Sequence, residues 1–589
     1  MMNLKYTFMP ALLLASFSGT IAHSETLQTQ INQDIETTSE AALNARFTEV
    51  LINLSTLDSE ALKKRFDVRN HKGESIFHSA EQSATPSPGD KPWATLDPTQ
   101  DKVEGTSTEE VYKNFQISAD QNEVVVAVID DGVDITHEDL KGHIWINLVE
   151  FSGKPGVDDD NDGYVDDIYG WNFLGNKNGQ NVNGTTLELT RIYTQLKAKQ
   201  AGHQGLTPDE TVLFQQVSNE FQSGLKDAQD SLVQYQTFAA AIQLLKQNGL
   251  KDETVAGLSA VTSTSPAILK ARQICQMLFA QNFGSVKINE GIAHFKTAVD
   301  FNYNVSFSSS DIVKDNPSLL NEKGYGNNNV TGPDAAHGTH VSGIIAANRD
   351  NLIGIQGQGR NIKIMPIRAV PNGDERDKDV ANAIRFAVDH GARVINMSFG
   401  KAYSPNKSYV DAAVTYAESK GVLMVHAAGN DGKNTDSQAN NFPNRKVKDA
   451  SGKPRQVETW IEVGASSKQK GANLPASFSN YGKNSVDVFA PGVGILSTVP
   501  GNQYASYDGT SMASPETAGV AALLLERFPK ATPQQVKKAI LNSTNQYKGL
   551  TCQLPSSGDG LASTILFSEL SISGGTVNAY QAMLEMQKY

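Results

Sequence analysis

The stretch VVVAVID (124–130) is a continuous apolar run of strand type that ends in an aspartate. Four later stretches have the same character: IKIMPIRAV (362–370), RVINMSFG (393–400), GVLMVHAAGN (421–430) and WIEVGA (460–465). Strands this uniformly apolar are usually buried on both faces, as in parallel sheets. Helical segments such as HGTHVSGIIAAN and SYVDAAVTYAESKG lie between them. The alternation predicts an α/β fold, a doubly wound and mainly parallel sheet with helices on both faces.

Polar residues stand at the ends of three of these predicted strands, namely Asp130, Ser398 and Asn430. Folds of this class bind ligands at the carboxyl ends of their strands. We therefore expect a functional site at that edge of the sheet.

The segment YDGTSMASPETAGVAALLL (507–525) raises a separate question. Its second half is typical of a buried helix, but the helix is preceded by small and polar residues. Ser511 or Thr510 could cap the helix. Alternatively, Ser511 could be held at the positive end of the helix because it acts as a nucleophile.

Three more motifs favour the second interpretation: VIDDGVDITHEDL with Asp130, AAHGTHVSGIIAA with His337, and AAGN with Asn430. Together with GTSMASP they resemble the subtilisin-like serine protease family over 124–173 and 327–589. Taken singly, Asp130 could be a turn carboxylate, His337 could pack at a helix start, and Asn430 could lie in an Asn-Asp-Gly turn. His340, in the same motif, is the rival histidine.

The resemblance implies a serine endopeptidase that hydrolyses peptide bonds through an acyl-enzyme on Ser511. It implies that His337 is the base that activates the serine and that Asp130 orients the imidazole. Asn430 would donate to the oxyanion. The competing hypothesis is a binding module that has the protease fold without its activity.

The substrate-binding residues follow from the same resemblance. Ser398, Phe399 and Gly400, with Ala428 and Gly429, match the strands that pair with an extended peptide. The acidic loop NGDERDKDVAN (372–382) matches a second substrate-lining loop. It would either favour basic side chains in the substrate or be an ordinary solvated loop.

Two calcium sites are predicted, and no organic cofactor is expected. GVDDDNDGYVDD (156–167) has carboxylates at alternate positions before a glycine, the first half of a calcium loop. A solvated acidic turn is the alternative. The predicted ligands are Asp158, Asp160, Asp162 and, in place of the glutamate that closes an EF-hand, Asp166 or Asp167. The family resemblance implies a second, tighter site, with Asp139, the side chain of Asn351 and the carbonyls of Ile353 and Ile355 as ligands.

The chain divides into several segments. Residues 1–24 are typical of a signal peptide, which predicts secretion to the periplasm or the medium. Residues 25–95 form a mostly helical prosegment or linker, and Ala84–Pro98 is an exposed or linking stretch with four prolines. Residues 96–589 form the peptidase domain, interrupted at 175–325 by a helical insertion. Thr207-Pro208-Asp209-Glu210 predicts a capping box within it. We expect the insertion to restrict access to the cleft.

The composition limits the partners. The net charge of −13 argues against nucleic acid, which requires a basic face. No later apolar run is long enough to span a membrane. The two cysteines, Cys275 and Cys552, allow one disulfide or two free thiols. We expect a monomer that acts on proteins or peptides.

Overall fold

The computed structural model describes residues 38–66, 68–70, 75–77, 92–117, 122–202, 205–437, 440–556 and 563–589. The predicted signal peptide (1–24) lies outside these residues, and so do residues 78–91. Within the described residues, no helix has both the length and the apolar character that crossing a membrane requires.

The α-helices of the described residues are α1 Glu40–Ser55, α2 Ser59–Phe66, α3 Thr108–Asn114, α4 Leu148–Ser152, α5 Glu188–Ala201, α6 Pro208–Gln247, α7 Pro266–Ala280, α8 Ser285–Thr297, α9 Ser310–Val313, α10 Ala336–Ala346, α11 Asp377–Asp389, α12 Lys407–Ser419, α13 Thr510–Arg527, α14 Pro533–Asn542 and α15 Ala579–Met586. Short 3-10 helices, such as Trp93–Thr95, and one π-helical turn, Ala298–Asn302, accompany them.

The strands of the described residues are β1 Val124–Asp130, β2 Trp171–Asn172, β3 Ile362–Arg368, β4 Val394–Met397, β5 Leu423–Ala427, β6 Lys446–Lys448, β7 Pro454–Gln456, β8 Trp460–Ser466, β9 Val488–Pro491, β10 Ile495–Val499, β11 Gln503–Tyr507, β12 Asn545–Gln546, β13 Thr551–Gln553, β14 Thr564–Leu566 and β15 Gly575–Thr576.

Nine strands form one sheet in the order β12-β15-β9-β8-β5-β4-β1-β3-β2. All neighbouring pairs in this sheet are parallel except β12 with β15, at the edge. The remaining strands form the antiparallel pairs β6–β7, β10–β11 and β13–β14. This confirms the predicted α/β class with a mainly parallel sheet.

Helices cover both faces of the sheet, as the strand β1 shows. Its residues Val124, Val126 and Val128 pack into a cluster with side chains of α10 and α13. The intervening Ala127 and Ile129 pack into a second cluster with side chains of α11 and α12. Side chains alternate between the faces of a strand, so β1 is buried on both sides. This explains why its sequence is apolar throughout.

The chain forms two compact units. The first contains the described part of residues 1–63 together with residues 233–292. Within it, α1 packs on α7 and buries Phe47 and Leu54 almost completely. Lys270 of α7 also donates to the Thr48 hydroxyl. The N-terminal helix and the middle of the insertion are therefore parts of one helical unit.

The second unit contains residues 64–232 and 293–589, which include the whole nine-stranded sheet. Within it, the predicted capping box is confirmed, because Glu210 N–H donates to Thr207 Oγ1 and Thr207 N–H to Glu210 Oε2. The prediction of an exposed stretch up to Pro98 is wrong for its last residues. Ala94 and Thr95 are buried, and Trp93 donates from Nε1 to the carbonyl of Gly494.

Candidate active site

Three neighbouring strands of the sheet end side by side. Ile129 of β1 lies opposite Met397 of β4, and Met397 lies opposite His426 of β5. The next residues along the chain, Asp130, Ser398 and Ala427, therefore lie next to one another at the carboxyl edge. Adjacent strands are about 4.8 Å apart, so side chains from this edge can reach a common substrate.

Helix α10 brings His337 to this edge. Its Nδ1 lies 2.7 Å from Asp130 Oδ1, although the two residues are 207 positions apart. The imidazole is 22% exposed and the Asp130 side chain 2% exposed. Because the carboxylate accepts, Nδ1 carries the proton, and Nε2 is the nitrogen with the lone pair.

Asp131 holds the start of the same helix. Its Oδ1 accepts from Gly338 N–H at 2.8 Å and its Oδ2 from His337 N–H at 3.3 Å, so it supplies the cap that no residue of the helix provides. Burial and the neighbouring charge of Asp130 raise the pKa of Asp131 well above its usual range. Gly338 is required here, since a Cβ would lie 2.1 Å from the carbonyl oxygen of Gly132.

Helix α13 brings Ser511 to the end of β4. The N-cap residue is Gly509, which has no side chain, so neither Thr510 nor Ser511 has the N-cap role. Ser511 Oγ instead donates to the carbonyl of Ser398 at 3.2 Å. Pro515 has no N–H to bond the carbonyl of Ser511 four residues earlier. That carbonyl accepts from Ser398 Oγ at 2.9 Å.

The two helices that carry His337 and Ser511 pack against each other. A Cβ on Gly519 would lie 3.4 Å from Ile345 Cα. Gly519 follows Ser511 by eight residues, and Ile345 follows His337 by eight residues. The histidine and the serine therefore precede this crossing by equal lengths of helix, and both lie at the same edge of the sheet.

Asn430 follows β5 and is held by the residue before Ser511. Its Oδ1 accepts from Thr510 N–H at 2.8 Å and from Thr510 Oγ1 at 2.9 Å. Thr510 Oγ1 in turn accepts from Gly429 N–H at 3.1 Å. These contacts fix which end of the Asn430 amide is the carbonyl and direct its NH2 group away from Thr510.

His340, the alternative to His337 in the same motif, has a structural role. His340 is fully buried, and its Nε2 lies 2.9 Å from the carbonyl oxygen of Ile495 and 3.1 Å from that of Ala505. Its ring stacks on Tyr507 with 4.3 Å between centroids. His340 thus ties α10 to the β10–β11 hairpin, and His337 is the histidine that faces Asp130.

The predicted substrate-binding strands meet at a residue that sequence reasoning missed. Asn441 donates from Nδ2 to the carbonyl of Ala427 at 2.8 Å. A Cβ on Gly400 would lie 1.9 Å from Asn441 Oδ1. Asn441 therefore lies between the segments that contain Ser398–Gly400 and Ala428–Gly429. No periodic pattern marks it, because it belongs to an irregular loop.

The expectation of a solvated acidic loop is wrong, since Asp374, Glu375, Asp377 and Asp379 are all buried. Asp379 is fully buried and contacts Arg376 at 2.6 Å. Asp377 contacts Lys401 at 2.8 Å. Asp374 Oδ2 accepts from the N–H of Glu188, in the first helix of the insertion. The loop is therefore not solvated, and a preference for basic side chains in the substrate stays a prediction.

The first predicted calcium loop has a compact carboxylate centre. Asp158 and Asp160 each bring an oxygen within 4.8 Å of one from Glu150, a buried residue that sequence reasoning missed. Asp162 is directed elsewhere, with Oδ2 2.9 Å from His390 Nε2. Asp166 accepts from Gly156 N–H at 2.8 Å. Oxygen ligands of this kind suit calcium.

The charge of His390 explains the position of Asp162. Burial lowers the pKa of His390, but hydrogen bonds to Asp162 and Asp167 outweigh this and raise it to about 10. The protonated imidazole therefore balances these two carboxylates, and Glu150, Asp158 and Asp160 are the group left for a cation.

In the second predicted calcium site, N–H and O–H donors bond the carboxylate of Asp139. Asp139 Oδ1 accepts from Asn351 Nδ2 at 2.8 Å, and Oδ2 accepts from Ile355 N–H at 2.9 Å and Tyr504 O–H at 3.3 Å. Asn351 Oδ1 accepts from Ile353 N–H at 3.1 Å. N–H and O–H groups thus bond this carboxylate, as N–H groups bond both oxygens of Glu150 and Asp158 in the first site. Calcium at Asp139, Asn351, Ile353 and Ile355 stays a prediction from resemblance.

Comparisons with known proteins identify a family and several similar chains. Residues 121–560 match the model of the family described as the subtilase family. A thermophilic serine proteinase of Bacillus sp. (strain AK1) is 45% identical over 214 residues, 36% of this chain and 48% of the relative. A subtilisin of Bacillus pumilus is 34% identical over 275 residues, 45% of this chain and 92% of the relative.

A thermostable alkaline protease of Halalkalibacterium halodurans is 37% identical over 39% of this chain and 56% of the relative. The chain spans about half the length of the curated relatives that head the comparison. Among solved structures, fervidolysin from Fervidobacterium pennivorans matches with 32% identity, a TM-score of 0.34, and coverage of 43% of this chain and 37% of that one.

Proposed function

The chain belongs to the subtilase family, and on this premise we propose that it is a serine endopeptidase that cleaves peptide bonds through an acyl-enzyme on Ser511. The observation that carries the proposal is the 2.7 Å contact between Asp130 and His337 at the edge that also receives Ser511. A weak nucleophile such as a serine hydroxyl requires a base of this kind.

In the proposed reaction each of these groups has a defined role. Ser511 Oγ attacks the carbonyl carbon of the substrate while its proton passes to His337 Nε2. Asp130 stabilises the imidazolium through Nδ1–H. The tetrahedral intermediate collapses, the C–N bond breaks, and His337 returns the proton to the leaving amine. A water molecule then attacks the acyl-enzyme by the same route, which releases the acid and restores Ser511.

The developing oxyanion is stabilised by Asn430. Its carbonyl end is occupied by Thr510, so its NH2 group donates to the oxyanion together with the backbone N–H of Ser511. Loss of one such donor typically lowers kcat by about 10²–10³. Because Thr510 adjoins Ser511, the nucleophile and the oxyanion donor are positioned by the same helix start.

Substrate peptides bind in extended form between Ser398–Gly400 and Ala428–Gly429, with main-chain hydrogen bonds to both segments. Asn441 then forms the base of the pocket between them. Its amide offers both a donor and an acceptor, so it favours a polar or small side chain before the cleaved bond. Asn441→Gly should shift the preference toward larger apolar side chains in a peptide-library profile. An unchanged profile would remove Asn441 from the pocket.

Calcium is proposed at Glu150, Asp158 and Asp160, where it would hold the loop before β2 by direct carboxylate coordination. The bound ion would balance the negative charge of these carboxylates and would have no part in the reaction. Secretion after removal of residues 1–24 is also proposed, on the sequence of that segment.

The proposed activity is tested with a denatured, unstructured protein as substrate. The wild-type chain should produce fragments, and mass spectrometry should place the cleavages at internal peptide bonds. Ser511→Ala should produce none, while Ser514→Ala, three residues along the same helix, should retain activity. A folded wild-type chain that leaves the substrate intact would support the binding-module alternative.

A further inference from the structure

Lys401 is a buried cation directly after the substrate-binding strand. Its side chain is 2% exposed. The ammonium lies 2.7 Å from Glu188 Oε2, 2.7 Å from the carbonyl oxygen of Glu375 and 2.8 Å from Asp377 Oδ1. A buried ammonium is tolerated only when it is paired and hydrogen-bonded, and these three acceptors match its three N–H groups.

The main partner of Lys401 comes from the insertion. Glu188 is the first residue of α5 and is itself buried. It also contacts Arg191, which donates to the carbonyls of Asp374 and Glu375. Burial alone would raise the pKa of Glu188, but Arg191 and Lys401 lower it to about 2. Glu188 is therefore an anion in a site that is otherwise closed to water.

The backbone of Lys401 links this ion network to the proposed peptide cleft. Lys401 N–H donates to the carbonyl of Phe442 at 3.1 Å, and Phe442 N–H donates to the carbonyl of Lys401 at 3.0 Å. Gly400 precedes Lys401, and Asn441 precedes Phe442. Lys401 thus bonds the insertion through its side chain, and through its backbone it bonds the residue after Asn441.

The residues at the start of α5 also bond the acidic loop (372–382). Thr185 N–H donates to the carbonyl of Asn372, and Asn372 N–H donates to the carbonyl of Asn183. Asp374 accepts from Glu188 N–H at 2.7 Å. The residues that open the insertion are therefore built into the acidic loop as well as joined to Lys401.

We propose that Glu188, acting through Lys401, positions the strand Ser398–Gly400 for peptide binding. The first helix of the insertion is then a part of the substrate-binding machinery and is more than a cover over the cleft. This inference rests on the proposed peptidase function. Glu188 and Lys401 are positioning residues, because neither touches the reacting atoms.

The test compares an extended substrate with a minimal one. Glu188→Gln and Lys401→Met should raise KM for a tetrapeptide anilide about tenfold and change kcat less than threefold, since strand pairing binds the ground state and the transition state alike. The rate of labelling by a small fluorophosphonate, which needs no strand pairing, should change less than twofold. The double variant should be no worse than Lys401→Met, because both changes remove one interaction.

Lys199→Met is the matched control, since it breaks an ion pair with Glu210 in the same insertion without contacting the cleft. All kinetics are normalised to the fraction that the fluorophosphonate labels. If Lys401→Met does not fold, Lys401→Arg and Glu188→Asp keep the charge and should raise KM by a smaller factor.

An unchanged KM in the folded Glu188 and Lys401 variants, or an equal rise in Lys199→Met, would overturn the positioning role. A wild-type chain that the fluorophosphonate never labels would instead overturn the proposed function itself. The two failures are therefore distinguishable in the same experiment.

Discussion

At the scale of single residues, Thr510 is the clearest case of a side chain that acts through its neighbours. Thr510→Val removes the hydroxyl that donates to Asn430 Oδ1 and accepts from Gly429 N–H. The NH2 group of Asn430 should then lose its fixed direction. We expect kcat to fall about tenfold with KM changed less than about twofold, as measured on a peptide substrate.

Thr517→Val is the control for this prediction. It makes the same substitution in the same helix, at a buried hydroxyl that bonds only the carbonyl of Ala513. Equal losses of kcat in the two variants would show that Thr510 has no special relation to the oxyanion site.

Glu516 should make stability depend on pH. It is 2% exposed and hydrogen-bonds Gln358, and burial raises its pKa to about 8. Between pH 4.5 and 8 the folded chain retains a proton that the unfolded chain releases. Its contribution to the free energy of unfolding therefore falls as pH rises through this window and stays low above it.

Glu516→Gln removes this penalty. In a Ser511→Ala background, which prevents autolysis, it should leave the unfolding free energy near its parent value at pH 4.5 and raise it by about 4–5 kcal/mol at pH 9. Urea unfolding at both pH values measures the difference. The exposed Glu458→Gln is the control, and an equal effect of Glu516→Gln at the two pH values would contradict the account.

At this scale the sequence predicted the residues with distinctive chemistry, but it did not predict the residues that position them. The motifs around Asp130, His337, Asn430 and Ser511 are recognisable because each has polar residues where a strand ends or a helix begins. Thr510 and Asn441 could not be identified, because their roles depend on contacts between segments far apart in the chain. The acidic loop was misjudged for a related reason, since Asp374 accepts from Glu188 of the insertion and Asp377 contacts Lys401.

At the scale of elements, the loop at residues 156–167 should bind calcium through Glu150, Asp158 and Asp160. Millimolar calcium should then raise the Tm of the Ser511→Ala chain by several degrees, and a chelator should reverse the rise. Glu150→Gln and Asp160→Asn should abolish this shift, because each removes a carboxylate ligand. Differential scanning calorimetry with and without calcium measures it.

Asp166→Asn distinguishes the calcium ligands that the structure indicates from those that the sequence pattern predicts. The pattern includes Asp166 among the ligands, whereas its carboxylate bonds Gly156 N–H in the structure. We expect Asp166→Asn to retain the calcium-dependent shift. Loss of the shift in this variant, with retention in Glu150→Gln, would reverse the assignment.

Strands of the central sheet were predictable because burial on both faces leaves a continuous apolar run. The strands β1, β3, β4, β5 and β8 all carry that signal. The two-residue strand β2 and the hairpin β10–β11 carry none, since short or half-exposed strands need few apolar residues. Glu150 was missed for a related reason, because it approaches the calcium loop from the preceding helix and lies outside the loop pattern.

At the scale of the whole molecule, the N-terminal helix α1 is a structural part of the helical unit. Phe47 is fully buried where α1 packs on α7. Phe47→Ala should destabilise this unit by about 3–4 kcal/mol. Hydrogen exchange of residues 266–280 in the Ser511→Ala background should then become faster by at least tenfold.

Ile52→Ala is the control in the same helix, because Ile52 is 60% exposed and its loss should leave exchange unchanged. Equal exchange in the Phe47 variant and the parent would show that α1 does not stabilise the unit. The sequence predicted a helical prosegment and a separate helical insertion. It could not predict that they share a core, since the contacting residues Thr48 and Lys270 are 222 positions apart and the apolar face of a helix does not indicate which element it packs against.

The central claim is that folding joins Asp130, His337 and Ser511 into one reactive group. The most direct measurement is reaction with a fluorophosphonate at pH 8, followed by peptide mapping of the adduct by mass spectrometry. We predict one adduct per chain, on Ser511, with labelling slowed at least 10³-fold in His337→Ala and unaffected in Ser514→Ala. A folded chain that stays unlabelled, or that is labelled equally fast without His337, would contradict this account.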